Sequence, residues 1–146
     1  MNIIVLTGGL SAERNVALAT GKAIAKALRD DGNNVKVVDP IYGITQAGED
    51  EIFLGKPTIG KEFPAQAELN QYSNRKVIEC INSDIFNDTD IVFLALHGKF
   101  GEDGRIQSLL EMRGVKYTGS GVTSSAMAMD KNISKILFTH YNIPTA

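Results

Sequence analysis

The chain has 146 residues, 43% hydrophobic and 22% charged, the profile of one globular domain with a buried core rather than a disordered segment. A net charge of -2 and a pI near 5.7, with no basic cluster, give no reason to expect nucleic acid and point to small-molecule partners. The single cysteine, Cys80, cannot close an intrachain disulfide, and without a CxxC pair or a Cys/His cluster there is no zinc or redox motif; a reducing cytoplasm is the expected location.

Strand and helix patterns alternate, so the expected fold class is α/β: a mainly parallel open sheet flanked by helices, in a single domain over residues 1–146. The first ten residues, MNIIVLTGGL, are apolar but too short and too poor in basic residues for a signal peptide, and no segment is long enough to span a membrane. Asn2 to Thr7 is an unbroken apolar run, expected of a strand covered on both faces, and Gly8-Gly9 ends it. From Ala12 to Asp31, Val16, Thr20, Ala23, Ile24, Ala27 and Leu28 recur at helical spacing, with Ser11 as the expected N-cap and Gly32 just past the end. Asn34 to Val38 is a second strand, stopped by Asp39-Pro40, so the first unit is a right-handed parallel crossover.

Between Ile41 and Ser73 the glycines and prolines break every period. Two β-like pieces, IYGIT and EIFLG, flank the turn-like AGED and predict a hairpin, followed by a helix through Val77, Ile78 and Ile81. Asp90 to Leu96 is a buried strand, Arg105 to Arg113 a helix with Ile106, Leu109 and Leu110 inward, and Val115 to Thr118 a short further strand. A last helical region carries Ile133, Ile136 and Leu137 and stops at Asn142-Ile143-Pro144.

The topology sends both the Gly8-Gly9 turn and His97 to the carboxyl edge of the sheet, where open α/β sheets bind ligands. His97 opens the stretch HGKFGEDG, whose glycines at 98, 101 and 104 let the backbone approach a ligand closely. A strand-end histidine beside glycine is poor core and good crevice, which favours a ligand contact. Glu102 and Asp103 stand just before a helix, where capping and loop bracing account for them better than catalysis does. The first turn, TGGLSAERNV, is neither GxGxxG nor a P-loop. Within it Glu13 is either a helix-dipole partner or the acceptor of a substrate ammonium, with Arg14 as a salt partner in the former case; spacing alone leaves both open.

Three ordered stretches carry a resemblance: TGGLSAERNVAL, ALHGKFGEDGRIQSLLE and YTGSGVTSSAMAMDKNISK. Together they resemble the N-terminal signatures of the D-alanine-D-alanine ligases, over residues 1–40 and 90–146, with Ala17 standing where many members have serine. The resemblance implies a Rossmann-like pre-ATP-grasp domain from an enzyme in which ATP activates the carboxylate of one D-alanine and a second D-alanine attacks it, making the dipeptide for peptidoglycan. Carried over by position, Glu13 would be the catalytic-site carboxylate holding the ammonium of the first D-alanine, Val16 would pack near its methyl, and His97 would help fix it. Lys131, in MDK, would reach toward the ATP phosphates, while the GSGV turn at 119–122 would shape the crevice wall. No metal ligand is expected in this segment; the Mg2+ carboxylates, the phosphate loop and most adenine contacts belong to central and C-terminal ATP-grasp domains that the chain does not contain. The expected partners are therefore D-alanine, those remaining domains and a second copy of the chain, and the 146 residues alone are expected to be inactive. A stand-alone nucleotide-binding or dimerisation module of the same fold is the alternative.

Overall fold

The computed structural model describes residues 1–54 and 73–145. Three parallel strands, β1 (Asn2–Leu6), β2 (Asn34–Val38) and β3 (Ile91–Leu94), form a sheet in the order β2-β1-β3. In central β1, Ile4 lies opposite Lys36 on one side and Val92 on the other. The pleat sends alternate β1 side chains to opposite faces. Ile4 and Leu6 join the cluster completed by Phe86, Ile106 and Leu110, whereas Ile3 and Val5 pack with Leu18, Ala25, Ile52 and Phe53. Cover on both faces is what the unbroken apolar run requires.

Helix α1 (Arg14–Asp30) starts two residues later than the sequence pattern predicts. Ser11 does not cap it: its Oγ accepts the Glu13 N–H at 3.0 Å and its carbonyl the Arg14 N–H at 3.0 Å, which makes a separate turn ahead of the helix. The buried stripe is also rotated from the expected one. Ala17, Leu18, Gly21 and Ala25 face the sheet, while Val16, Ala23 and Ala27 lie outward. Small residues win that face because the helix comes close to the strand: a β-carbon on Gly21 would stand 2.5 Å from Thr7 Cβ. The end of α1 is as expected, with Gly32 in the left-handed region at φ +80.

The expected hairpin is overturned. Asp39 accepts the Ile41 N–H and Pro40 supplies a preset φ, so Pro40–Tyr42 winds into a 3-10 turn. Residues Glu49–Leu54 then form a short helix, α2, whose first turn carries Glu49, Asp50 and Glu51, an arrangement the helix dipole favours. Arg29 grips Glu49 through two bonds of 2.7 and 2.6 Å while Ile52 and Phe53 bury themselves. Gly55, the last residue of EIFLG, and the chain from there to residue 72 lie outside the described residues.

Helix α3 (Asn74–Ile81) is capped by Ser73 and buries Val77, Cys80 and Ile81, leaving Ile78 outside. Helix α4 (Arg105–Arg113) buries Ile106 and Leu110 as expected, with Leu109 partly covered. The further strand expected at Val115 to Thr118 shrinks to one parallel bridge between Val92 and Tyr117, because Gly114, at φ +76, and the turn after Tyr117 leave too little extended chain. The last helical region is two helices, α5 (Val122–Met129) and α6 (Lys131–His140), parted where Asp130 turns to cap the second through the amides of Asn132 and Ile133. Among the described residues no helix is long and apolar enough to cross a membrane.

Candidate functional site

The two turns at the carboxyl edge meet. Gly8 and Gly9 both hold positive φ, and a β-carbon on Gly8 would come within 2.6 Å of Asp39 Cγ, so this turn admits only glycine there. Asp39, fully buried at the end of β2, organises the turn: it accepts the Gly9 N–H at 3.1 Å and the Ile41 N–H at 3.2 Å, and pairs with Arg14 Nη2 at 2.6 Å. Burial pushes the Asp39 carboxyl above the ordinary carboxylate range, and the Arg14 guanidinium and the two amides offset part of that cost. Arg14 also donates to the Gly9 carbonyl at 3.2 Å, which ties it to Asp39 and the turn.

The second turn is over-determined in the same way. Gly101 sits so close to the end of β3 that a β-carbon would be 2.5 Å from Leu96 Cβ. Asp103 braces the loop, its carboxylate accepting the Phe100 N–H at 3.0 Å and the Arg105 N–H at 3.3 Å, and the buried Gln107 donates to the Gly101 carbonyl at 2.8 Å. That bracing holds Phe100 at φ +71, a conformation costly for a residue with a side chain. Glu102 reaches back instead of capping α4: its Oε2 accepts the Gly98 N–H at 2.8 Å and its Oε1 faces His97 Nδ1 at 3.4 Å.

Glu13 and His97 stand at one rim. A β-carbon on Gly98 would lie 2.8 Å from Glu13 Oε2 and 2.7 Å from Ser11 Oγ, so the Glu13 carboxylate rests on the backbone of the residue that follows His97. The crevice between the turns, lined by Gly9, Leu10, Leu96, His97 and Lys99, has a free volume of only about 10 Å3, room for one water. Beside it, Glu13 is exposed and forms no ion pair among the described residues. Val16, one turn further along α1, is 38% exposed and available to a ligand rather than spent in the core. His97 is engaged at its other nitrogen by Thr20, with 3.1 Å between Nε2 and Oγ1. Lys131 is exposed at the start of α6, and among the described residues no hydrogen bond or ion pair ties it to this rim.

Thr20, Asp39 and Glu102 are the site residues that reasoning from sequence missed or undervalued. Spacing alone puts Thr20 on an apolar stripe, although a hydroxyl two turns after Glu13 on one helix face is a signal that this stripe is not core. Among the described residues, no group of three or more His, Cys, Asp or Glu side chains could hold a metal ion.

The family model for the D-ala D-ala ligase N-terminus matches residues 2–120. This chain belongs to that family. A D-alanine--D-alanine ligase of Pediococcus pentosaceus is 37% identical over the whole chain, and one of Synechococcus sp. (strain JA-2-3B'a(2-13)) is 41% identical over 99% of it. The solved D-alanine--D-alanine ligase of Bacillus anthracis, complexed with ATP, superposes with a TM-score of 0.64 at 30% identity, covering 99% of this chain and 38% of that one. The chain spans less than half the length of these relatives, 45% and 34% of the two sequences.

Proposed function

We propose that this family member supplies the first amino acid site of a D-alanine-D-alanine ligase, an enzyme that joins two D-alanines for the bacterial cell wall in the cytoplasm. The observation that supports it is the placement of the Glu13 carboxylate on Gly98, beside His97, at a rim open to solvent. A carboxylate there accepts the ammonium of an amino acid through charge-assisted hydrogen bonds. In this reading Val16 lies beside the substrate methyl and His97 orders the Gly98 side of the rim.

ATP with Mg2+ would supply activation of the substrate carboxylate as an acylphosphate in the whole enzyme. Lys131 and Lys135 are two exposed ammoniums one turn apart on α6, and in this reading Lys131 reaches toward the ATP phosphates that the remaining domains would hold. The chemistry that belongs to this chain is binding and orienting one amino acid. The remaining ligase domains and a second copy of the chain are its proposed protein partners.

Titrating the 15N-labelled chain with D-alanine tests the reading. Amide shifts should move at Gly9 to Glu13 and at His97 to Lys99, L-alanine should move them less, and Glu13→Gln should weaken the response on the order of tenfold or more, because a neutral amide gives up the charge-assisted contact. An undiminished response in Glu13→Gln, or shifts confined to another surface, would remove Glu13 from the site.

A further inference from the structure

We propose that Thr20 and Glu102 are positioning residues that clamp the His97 imidazole from its two nitrogens and fix the Nδ1–H tautomer, so that the ring is tied to the carboxylate that holds the Gly98 backbone. This deepens the reading given above, on which its consequence for the substrate rests; the tautomer itself stands on the geometry alone.

Glu102 Oε1 lies 3.4 Å from Nδ1. An ionised carboxylate has only lone pairs, so a lone pair on Nδ1 would face it with repulsion, whereas an N–H there is attracted. Glu102 is not free to turn away, since its Oε2 accepts the Gly98 N–H at 2.8 Å and its own N–H is bonded to the Gly98 carbonyl at 3.0 Å. A neutral imidazole carries one N–H. With that proton on Nδ1, Nε2 is an acceptor, and the Thr20 hydroxyl 3.1 Å away is the group that donates to it. Thr20 is in turn fixed on α1, the same helix that Glu13 opens, so the acid and the clamp on the ring share one rigid element.

The arrangement has a use at a binding rim. With its proton on Nδ1 the ring is tied to Glu102, the same side chain whose Oε2 holds the Gly98 N–H, so the clamp steadies the backbone on which Glu13 rests. The ring's part is then to hold a surface, not to transfer a proton.

Nitrogen NMR of the 15N-labelled chain reads this directly. There are two histidines, so His140→Asn leaves the ring signals of His97 alone. At about pH 8, where an ordinary imidazole is neutral, Nδ1 should resonate as the protonated nitrogen and Nε2 as the bare one. The unconstrained side chain prefers the opposite tautomer, so mere packing would not produce this pattern. Thr20→Val, which keeps the shape and removes the hydroxyl, should shift the ring toward Nε2–H, and Thr20→Ser should restore Nδ1–H. D-alanine binding should weaken on the order of tenfold in Thr20→Val and recover in Thr20→Ser. A wild-type ring protonated at Nε2, or a Thr20→Val ring indistinguishable from wild type, overturns the clamp even if D-alanine binds. A clamped tautomer in a chain that ignores D-alanine overturns the substrate reading and leaves the clamp.

Discussion

The β1-α1-β2 unit and the α5-α6 pair use apolar side chains in opposite ways. In the first, Val5 and Leu6 are fully buried and α1 lays Ala17, Leu18 and Ala25 against the sheet. In the second, α5 buries only Ser125 and α6 buries nothing, so that Ile133, Ile136 and Phe138 stay 40%, 64% and 40% exposed. Both segments carry apolar residues at helical spacing. What separates them is the size of the facing surface: α1 has the sheet, whereas among the described residues α6 meets the short α5, through bonds from the Ser134 hydroxyl to the Met127 and Ala128 carbonyls. The family match draws a similar line, since it ends at residue 120, before α5 begins. An amphipathic pattern thus states which face a helix would bury, not that a partner for it lies in the same domain.

The largest effect expected from this contrast compares one truncation in each region. Leu6→Ala removes a fully buried side chain beneath Val38 and Leu110 and should cost about 2–5 kcal/mol in urea unfolding. Ile136→Ala should cost no more than about 0.5 kcal/mol, the scale of a surface change. Equal losses would mean that α6 is packed in solution and that the contrast is false.

A second substitution tests how tightly α1 meets the strand. Replacing a mid-helix glycine by alanine ordinarily stabilises by about 1 kcal/mol. At Gly21 the added carbon would stand 2.5 Å from Thr7 Cβ, and Thr7 cannot yield easily because its hydroxyl donates to the Ala17 carbonyl at 2.6 Å. Gly21→Ala should therefore destabilise, by about 1–3 kcal/mol. Combining it with Thr7→Ala should recover part of the loss. A more stable single variant would show that α1 can lift off the sheet at little cost.

In the other region the parallel lever is a cap. Asp130 accepts the N–H groups of Asn132 and Ile133 at 2.9 and 3.1 Å, and a ten-residue helix with no buried residue leans on this cap and on the Ser134 hydroxyl, which bonds the Met127 and Ala128 carbonyls. Asp130→Ala should cost about 1 kcal/mol, read as faster amide exchange confined to residues 131–140 with the global unfolding midpoint unchanged. A fall in the global midpoint would tie α6 to the cooperative core.

How much of this was legible follows from where each signal resides. The three strands, α1 and α4 were visible because an apolar run or a 3.6-residue period, closed by glycine, is written locally. Topology then brought Glu13 and His97 to one edge without any contact being known. The α2 helix was hidden because AGED looks like a turn, and its true signal, three acids ahead of Ile52 and Phe53, has force only once Arg29 is known to face Glu49. Thr20 and His97 are 77 positions apart in sequence, so no local rule could join them. The buried role of Asp39 was equally silent, since a strand-ending Asp-Pro looks the same whether its carboxylate faces water or organises a neighbouring turn.

The smallest expected effect sits at the junction of the two regions, where the Val92–Tyr117 bridge and the Thr118 bonds to Val92 and Leu94 hold the chain to the sheet before it leaves for α5. Tyr117 donates its hydroxyl to Glu111 at 2.6 Å, and this bond, more than burial, raises the phenol from its ordinary 10.0 to about 12. A raised value in the folded state means that the fold holds the proton more tightly than the unfolded chain does. Below pH 10.0 both states keep it and the contribution is complete; between there and about 12 the unfolded chain releases it first, so stability falls as pH rises. Glu111 is exposed and solvent screens the pair, which keeps the change small. Ultraviolet titration of tyrosinate, with Tyr117→Phe to single out one residue, should show a late phase that moves back toward 10.0 in Glu111→Gln, alongside a shallower loss of stability at high pH. If the late phase persists in Glu111→Gln, the phenol is held by the packing around Val92 instead, and the edge of the buried region lies past Tyr117 rather than at it.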